Sequence, residues 1–227
     1  MEGNKKGSHI SLVLSFIIFM VSLIFVYIIA SASIMTEDSK KGVLFSIERN
    51  ALKEIVHDIW VIRLNDISVQ PNFCVEVSNP ENSSIGGTIA MNDSGPISSQ
   101  VFQETIRIEG NSGFVKIYYS ELFEDENLEG ENCVHPEPYS IKKERIIIEP
   151  KIKQIISNFS SNYGILKEKL GVPDGNEYNL YFEYNNGSML GSFGPDPSTN
   201  IYLKEIPVEY LSEESRYEHG KLVVKIW

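Results

Sequence analysis

Between Ile10 and Ala32 the chain carries no charged residue, and that run limits the fold more than anything after it. A stretch of about 20 apolar residues is long enough to cross a roughly 30 Å hydrocarbon core as a helix. A short tail with Lys5 and Lys6 precedes it, and a long acidic remainder follows. A secretory signal peptide has a shorter apolar core and a small-residue exit. Ala30-Ser31-Ala32 is of that kind, so cleavage there is the alternative to a retained span. The run length favours a transmembrane helix over residues 8–35, behind a basic leader at 1–7.

The charge is lopsided. Beyond position 35 the chain holds 18 of its 20 basic and 30 of its 31 acidic residues, a formal charge of −12. Nucleic acid and anionic lipid surfaces both require a positive footprint, so the composition argues against both partners. It suits a solvated domain outside the cytoplasm, and solubility explains the acidity more simply than an acidic binding site does. Lys5 and Lys6 mark the N-terminal side as cytoplasmic, although Lys40 and Lys41 lie near the other end. The long side carries N-x-S/T sequons at Asn82, Asn92, Asn158 and Asn186, which have meaning only outside the cytoplasm. The expected topology is therefore a single pass with the large domain extracytoplasmic.

Cys74 and Cys133 are the only cysteines. In an oxidising exterior they form one possible disulfide, worth about 3–4 kcal/mol on the chain-entropy model, with two free thiols as the alternative. His9, His57, His135 and His219 fall at no ligand spacing, so no metal and no cofactor are expected.

After Thr36-Glu37-Asp38-Ser39 the sequence keeps a helical period. Leu44, Ile47, Ala51, Leu52, Ile55, Ile59 and Ile62 recur at spacings of three and four, with Glu48, Arg49, Lys53, Glu54 and Asp58 on the other face. This predicts an amphipathic extension over 36–62, and with the span one helix of about 50 residues. Residues 63–227 then read as a β-rich domain. Phe73–Val77 is a strand, and Val101–Glu109 and Phe114–Tyr119 flank a hairpin loop at Gly110–Gly113. Glu81–Gln100 reads as an exposed loop. Glu121–Glu137 is acidic; a solvated loop is favoured there over calcium, because the spacing matches no EF-hand.

Arg145–Glu149 reads as a short strand, and Pro150 opens a second helix at about 150–170 with Ile152, Ile155, Ile156, Phe159, Tyr163, Leu166 and Leu170 inward. Gly171 and Pro173 end it. Alternating Tyr178, Leu180, Phe182 and Tyr184 lead into an Asn186-Gly187 hairpin turn and a return at Met189–Phe193. Ile201–Leu203, Pro207–Leu211 and Leu222–Ile226 complete the sheet, with Gly194-Pro195-Asp196-Pro197 as a rigid loop. The expected fold class is α+β, a long N-terminal helix with an antiparallel β-rich head.

No catalytic arrangement stands out, and the chain is not expected to be an enzyme. Gly191-Ser192-Phe193-Gly194 lacks the strand-to-helix context of a nucleophile elbow. His57, beside Asp58 and Trp60, reads as a boundary histidine on the helix. Tyr178, Tyr181, Tyr184, Tyr202, Tyr210 and Tyr217 are either a sugar- or peptide-binding platform or ordinary strand residues, and strand propensity favours the second. In the span, Ser8, Ser11, Ser15 and Ser22 share one face. Small polar residues on one stripe let helices approach and hydrogen-bond in lipid, which tips the reading toward lateral assembly over serines merely tolerated there.

Lys5-Lys6-Gly7-Ser8, followed at once by the apolar run, resembles the class III leader of archaeal type IV pilin-like proteins. The resemblance implies a leader peptidase cutting between Gly7 and Ser8, and an apolar helix retained as the mature N-terminus. It also implies assembly with other pilin-like subunits. The acidic residue that many pilins place fifth in the mature chain is replaced by Leu12, which favours a minor or pseudopilin-like role over a major filament subunit. The expected function is a membrane-anchored structural subunit of a surface appendage. The alternative is a single-pass receptor or adhesion module with an outer ligand-binding domain.

Overall fold

The computed structural model describes residues 6–68, 74–110, 112–126, 128, 133–136, 139–191 and 201–227. Lys5, Phe73, Glu129, Glu131, Glu137, Ser192–Phe193 and the Gly194–Pro197 loop lie outside the described residues.

Helix α1 runs Lys6–Ile55, close to the length expected. It ends seven residues earlier than the periodicity predicts, because strand β1 begins at once as Val56–Ser68. Two compact units divide this helix, one ending at Ser46 and one running Ile47–Trp227.

The second unit is α+β, with three antiparallel sheets. After β1 come β2 (Cys74–Ser78), β3 (Gly87–Asn92), β4 (Gly95–Ile97), β5 (Ser99–Phe102), β6 (Thr105–Glu109), β7 (Ser112–Ser120) and β8 (Tyr139–Ile147). A five-stranded sheet has the order β4-β3-β7-β1-β8, and β2-β6-β5 form a three-stranded one. The facing sides of these two sheets share a core of Ile62 and Leu64 from β1, Val75 and Val77 from β2, Ile106 and Ile108 from β6, and Val115, Ile117 and Tyr119 from β7. The other face of the five-stranded sheet buries Ile59, Val61, Ile89 and Tyr118 against Phe123, Ile148 and Leu211.

Helices α2 (Glu149–Ser161) and α3 (Tyr163–Leu170) follow, then β9 (Tyr178–Tyr184), β10 (Met189–Leu190), β11 (Tyr202–Leu211) and β12 (Tyr217–Ile226) in the order β10-β9-β12-β11. The single helix expected at 150–170 is thus broken at Asn162, after Ser161, whose hydroxyl donates to the Ser157 carbonyl at 3.5 Å. Gly171 closes α3 at φ 74°, a left-handed cap that glycine adopts without steric cost. Its N–H and that of Val172 donate to the carbonyls of Glu168 and Lys167.

Two further expectations fail. Gly110–Gly113 is not a hairpin loop, because β6 pairs with β2 and β5 while β7 pairs with β1 and β3, so the chain changes sheets there. The hairpin lies earlier, within Val101–Glu109, at a turn whose Gln103 has φ 56°. Glu81–Gln100 is not simply an exposed loop either, since it contains the β3–β4 hairpin. β3 is short and polar at its ends, yet Thr88, Ile89 and Ala90 are buried between neighbours.

The last turns of α1 belong to the second unit. Ile47, Ala51 and Ile55 are at most 2% exposed. The Asn50 carboxamide donates to the Leu170 carbonyl at 3.0 Å, and Glu48 pairs with Lys204 at 3.1 Å.

Candidate membrane and assembly surface

Ser11–Ile29 is, among the described residues, the helical segment long and apolar enough to cross a membrane, with a mean hydropathy of 3.0. All of its side chains are exposed. A core helix of a water-soluble domain would bury such a surface, since each large side chain left in water forgoes about 1.5–3 kcal/mol. A lipid core would satisfy this surface, and the intrahelical hydrogen bonds would meet the demand that no backbone group go unpaired there. Tyr27, near the C-terminal end of the segment, carries a polar tip of the kind that suits an aromatic side chain to a membrane–water boundary.

Ser11, Ser15 and Ser22 are exposed on this segment. At 100° per residue they fall within about 40° of one another, a narrow small-residue stripe between Phe, Ile and Leu side chains. Lys6, Gly7 and Ser8 lie in the first turns of α1, and Leu12 is 69% exposed.

In the head, Tyr178, Tyr181, Tyr184 and Tyr210 do not form an exposed platform. Tyr178, Tyr181 and Tyr210 are buried, and Phe182 stands edge-on between Tyr184 and Tyr210. Their hydroxyls are used internally: Tyr184 donates to Glu149 at 3.1 Å and Tyr210 to Glu218 at 3.0 Å. Burial, aided by Glu149, pushes the Tyr184 phenol up to about 12. Tyr163 hydrogen-bonds Glu177, and burial followed by that carboxylate likewise raises it to about 12. His57 lies on β1 rather than on a helix, and burial, then Lys151, holds its imidazole below the ordinary value. No group of three or more His, Cys, Asp or Glu among the described residues is placed to hold a metal ion.

The acidic segment after β7 is built into the fold. Phe123 is 5% exposed in the core, and the Asp125 carboxylate accepts the Val101 N–H at 2.8 Å. Burial raises the Asp125 pKa. The segment passes so close to Gly87 that a β-carbon there would press on the Glu124 carbonyl. The adjacent glycines at 86 and 87 are the one sequence signal of that close approach.

Cys74 and Cys133 are joined by a disulfide, and Val134 beside it forms a parallel bridge with Val75. Of the sequons, Asn82 is exposed before β3, and Asn92 opens the β3–β4 turn with its side-chain oxygen accepting the Ser94 and Gly95 N–H groups. Asn186 accepts the Ser188 N–H and hydroxyl in the β9–β10 turn. Asn158 instead lies within α2, where its carbonyl accepts the Asn162 N–H and the next residue, Phe159, is a core side chain. Comparison with family models, curated proteins and solved structures finds no match to this chain.

Proposed function

We propose that this chain is a membrane-anchored structural subunit of a surface appendage, pilin-like and of the minor class. It crosses the membrane once with its N-terminus cytoplasmic, and a leader peptidase cuts it between Gly7 and Ser8. The observation that carries the reading is the Ser11–Ile29 segment, exposed along its whole length, with three serines on one narrow face. An anchor alone needs only apolar length; a stripe of small residues adds a groove in which a neighbouring helix packs. Ser11 and Ser15 sit in that groove, and their hydroxyls offer interhelical hydrogen bonds in lipid. Leu12 stands at the fifth mature position, where the resemblance places an acidic residue, and this supports a minor place in the assembly over a major filament subunit.

Ser11→Leu with Ser15→Leu tests this. The double variant stays apolar enough to insert but fills the groove. Membrane insertion is expected to be normal, and self- or hetero-association in crosslinking to weaken by about 1–2 kcal/mol. Unchanged association would contradict the assembly role and leave a lone signal-anchored protein.

A further inference from the structure

Every open sheet edge invites another strand, and folded proteins blunt such edges by shortening, covering or breaking them. In the second unit most edges are blunted. β2 is covered by Val134, whose N–H and carbonyl bond Cys74 and Glu76 at 2.8 and 2.9 Å. β5 is covered by the acidic segment, through Asp125 on the Val101 N–H and Gln100 on the Leu128 N–H. β4 has three residues including Pro96, and β10 has two. β11 is long but contains Pro207, whose missing donor falls on the open side when a proline occupies an edge strand.

β8 is different. It has nine residues, no proline and no glycine, and it pairs with β1 in unbroken register from Val56↔Ile147 to Leu64↔Tyr139. Among the described residues no strand pairs with its other edge, and β11 meets the chain only just beyond it, where Leu211 bridges Ile148. Ser140 through Lys143 and Arg145 are exposed. Its charge is also opposite to that of the molecule. Lys142, Lys143 and Arg145 stand with one carboxylate, Glu144, on a chain whose part beyond position 35 carries −12. Glu144 is already held by Arg63 at 2.5 Å, and the Lys143 ammonium lies 5.3 Å over the Trp60 ring. Arg145 is 71% exposed at 3.6 Å from Asp58. Lys142 and Arg145 are therefore the cations best placed to meet an added strand.

We infer that β8 is a docking edge that accepts an extended, acidic segment of a different protein as a further antiparallel strand. Main-chain hydrogen bonds supply the affinity in such strand addition, and alternate side chains supply the selection. Carboxylates beside Lys142 and Arg145 and an apolar residue beside Ile141 are the complement. A second copy fits poorly. Two-fold pairing of β8 with itself sets one residue against its own copy, and within this charged stretch that residue is Lys142, Lys143 or Glu144. Like charges directly opposite are destabilising.

The test uses the full chain in detergent micelles and two blocked nine-residue valine-rich peptides, one with glutamate at two positions three residues apart, to meet Lys142 and Arg145 on the two faces, the other with lysine at those positions. Hydrogen exchange is followed across Tyr139–Ile147. The glutamate peptide is expected to slow exchange there, with affinity falling about tenfold or more in Lys142→Glu/Arg145→Glu and falling with added salt. Unchanged exchange in β12 shows that the variant is folded; Lys142→Gln/Arg145→Gln replaces it if not. No protection of β8, equal binding of both peptides, or an unaffected folded variant overturns the inference. Protection of β8 that appears without peptide and grows with protein concentration also overturns it, in favour of a second copy.

Discussion

Replacing Ile55 by alanine should destabilise the head strongly, whereas replacing Phe45, ten residues earlier on the same helix, should do almost nothing. Ile55 is fully buried, so Ile55→Ala removes three buried carbons at about 0.8 kcal/mol each and leaves a cavity that the neighbours fill only in part. The total is about 3–4 kcal/mol. Phe45 is 68% exposed, and the small burial lost in Phe45→Ala is offset by the better helix propensity of alanine, leaving a change within about 0.5 kcal/mol. Guanidinium unfolding of the full chain in detergent, followed by the fluorescence of Trp60 and Trp227, reads both. A loss below about 1 kcal/mol for Ile55→Ala, or equal losses for the two variants, would refute the reasoning that the core of the head begins at Ile47.

Removing the disulfide as Cys74→Ser/Cys133→Ser, which opens a loop of 59 residues, should cost about 4 kcal/mol on the chain-entropy model, measured by the same unfolding. Gly87→Ala should displace the acidic segment at Glu124, costing about 1–3 kcal/mol and exposing the Val101 amide to faster hydrogen exchange. Arg63, by hydrogen-bonding Glu144, holds its carboxyl below the ordinary carboxylate range. The contribution of the pair is therefore full above the unfolded value and is lost as pH falls through the lower folded one. Because both groups are partly exposed, Glu144→Gln should cost about 1 kcal/mol or less near neutrality, and the difference from the parent should vanish in acid.

The parts of this molecule legible in the sequence are those whose partner is the solvent or the next few residues. Ser11–Ile29 is an apolar helix whose length and composition suffice to cross a membrane, and composition alone identifies it. Gly171 and the Asn186-Gly187 turn are local choices of backbone angle, and the structure has a helix cap at one and a β9–β10 turn at the other. The Val56–Ile62 stretch has the period of a helix yet forms a strand, for a definite reason. Both faces of β1 are covered, one by each core, so Ile59 and Val61 are apolar on one side and Ile62 and Leu64 on the other. The alternation that marks a half-exposed strand disappears, and the spacing of Ile55, Ile59 and Ile62 imitates a helix. Its β-branched content was the better guide. The separation of β6 from β7 into different sheets was not legible either, because turn residues fix where a chain turns and not which strand it then meets. That β8 is an edge among the described residues depends on the cover of the other edges, which no local pattern encodes.

The most direct measurement is the N-terminal sequence of the protein extracted from its native membrane. The account predicts a chain that begins at Ser8, carries the intact Ser11–Ile29 segment and sediments with the membrane or an appendage fraction. A chain that retains Met1, or one that begins beyond Ala32 and is free of the membrane, would contradict it.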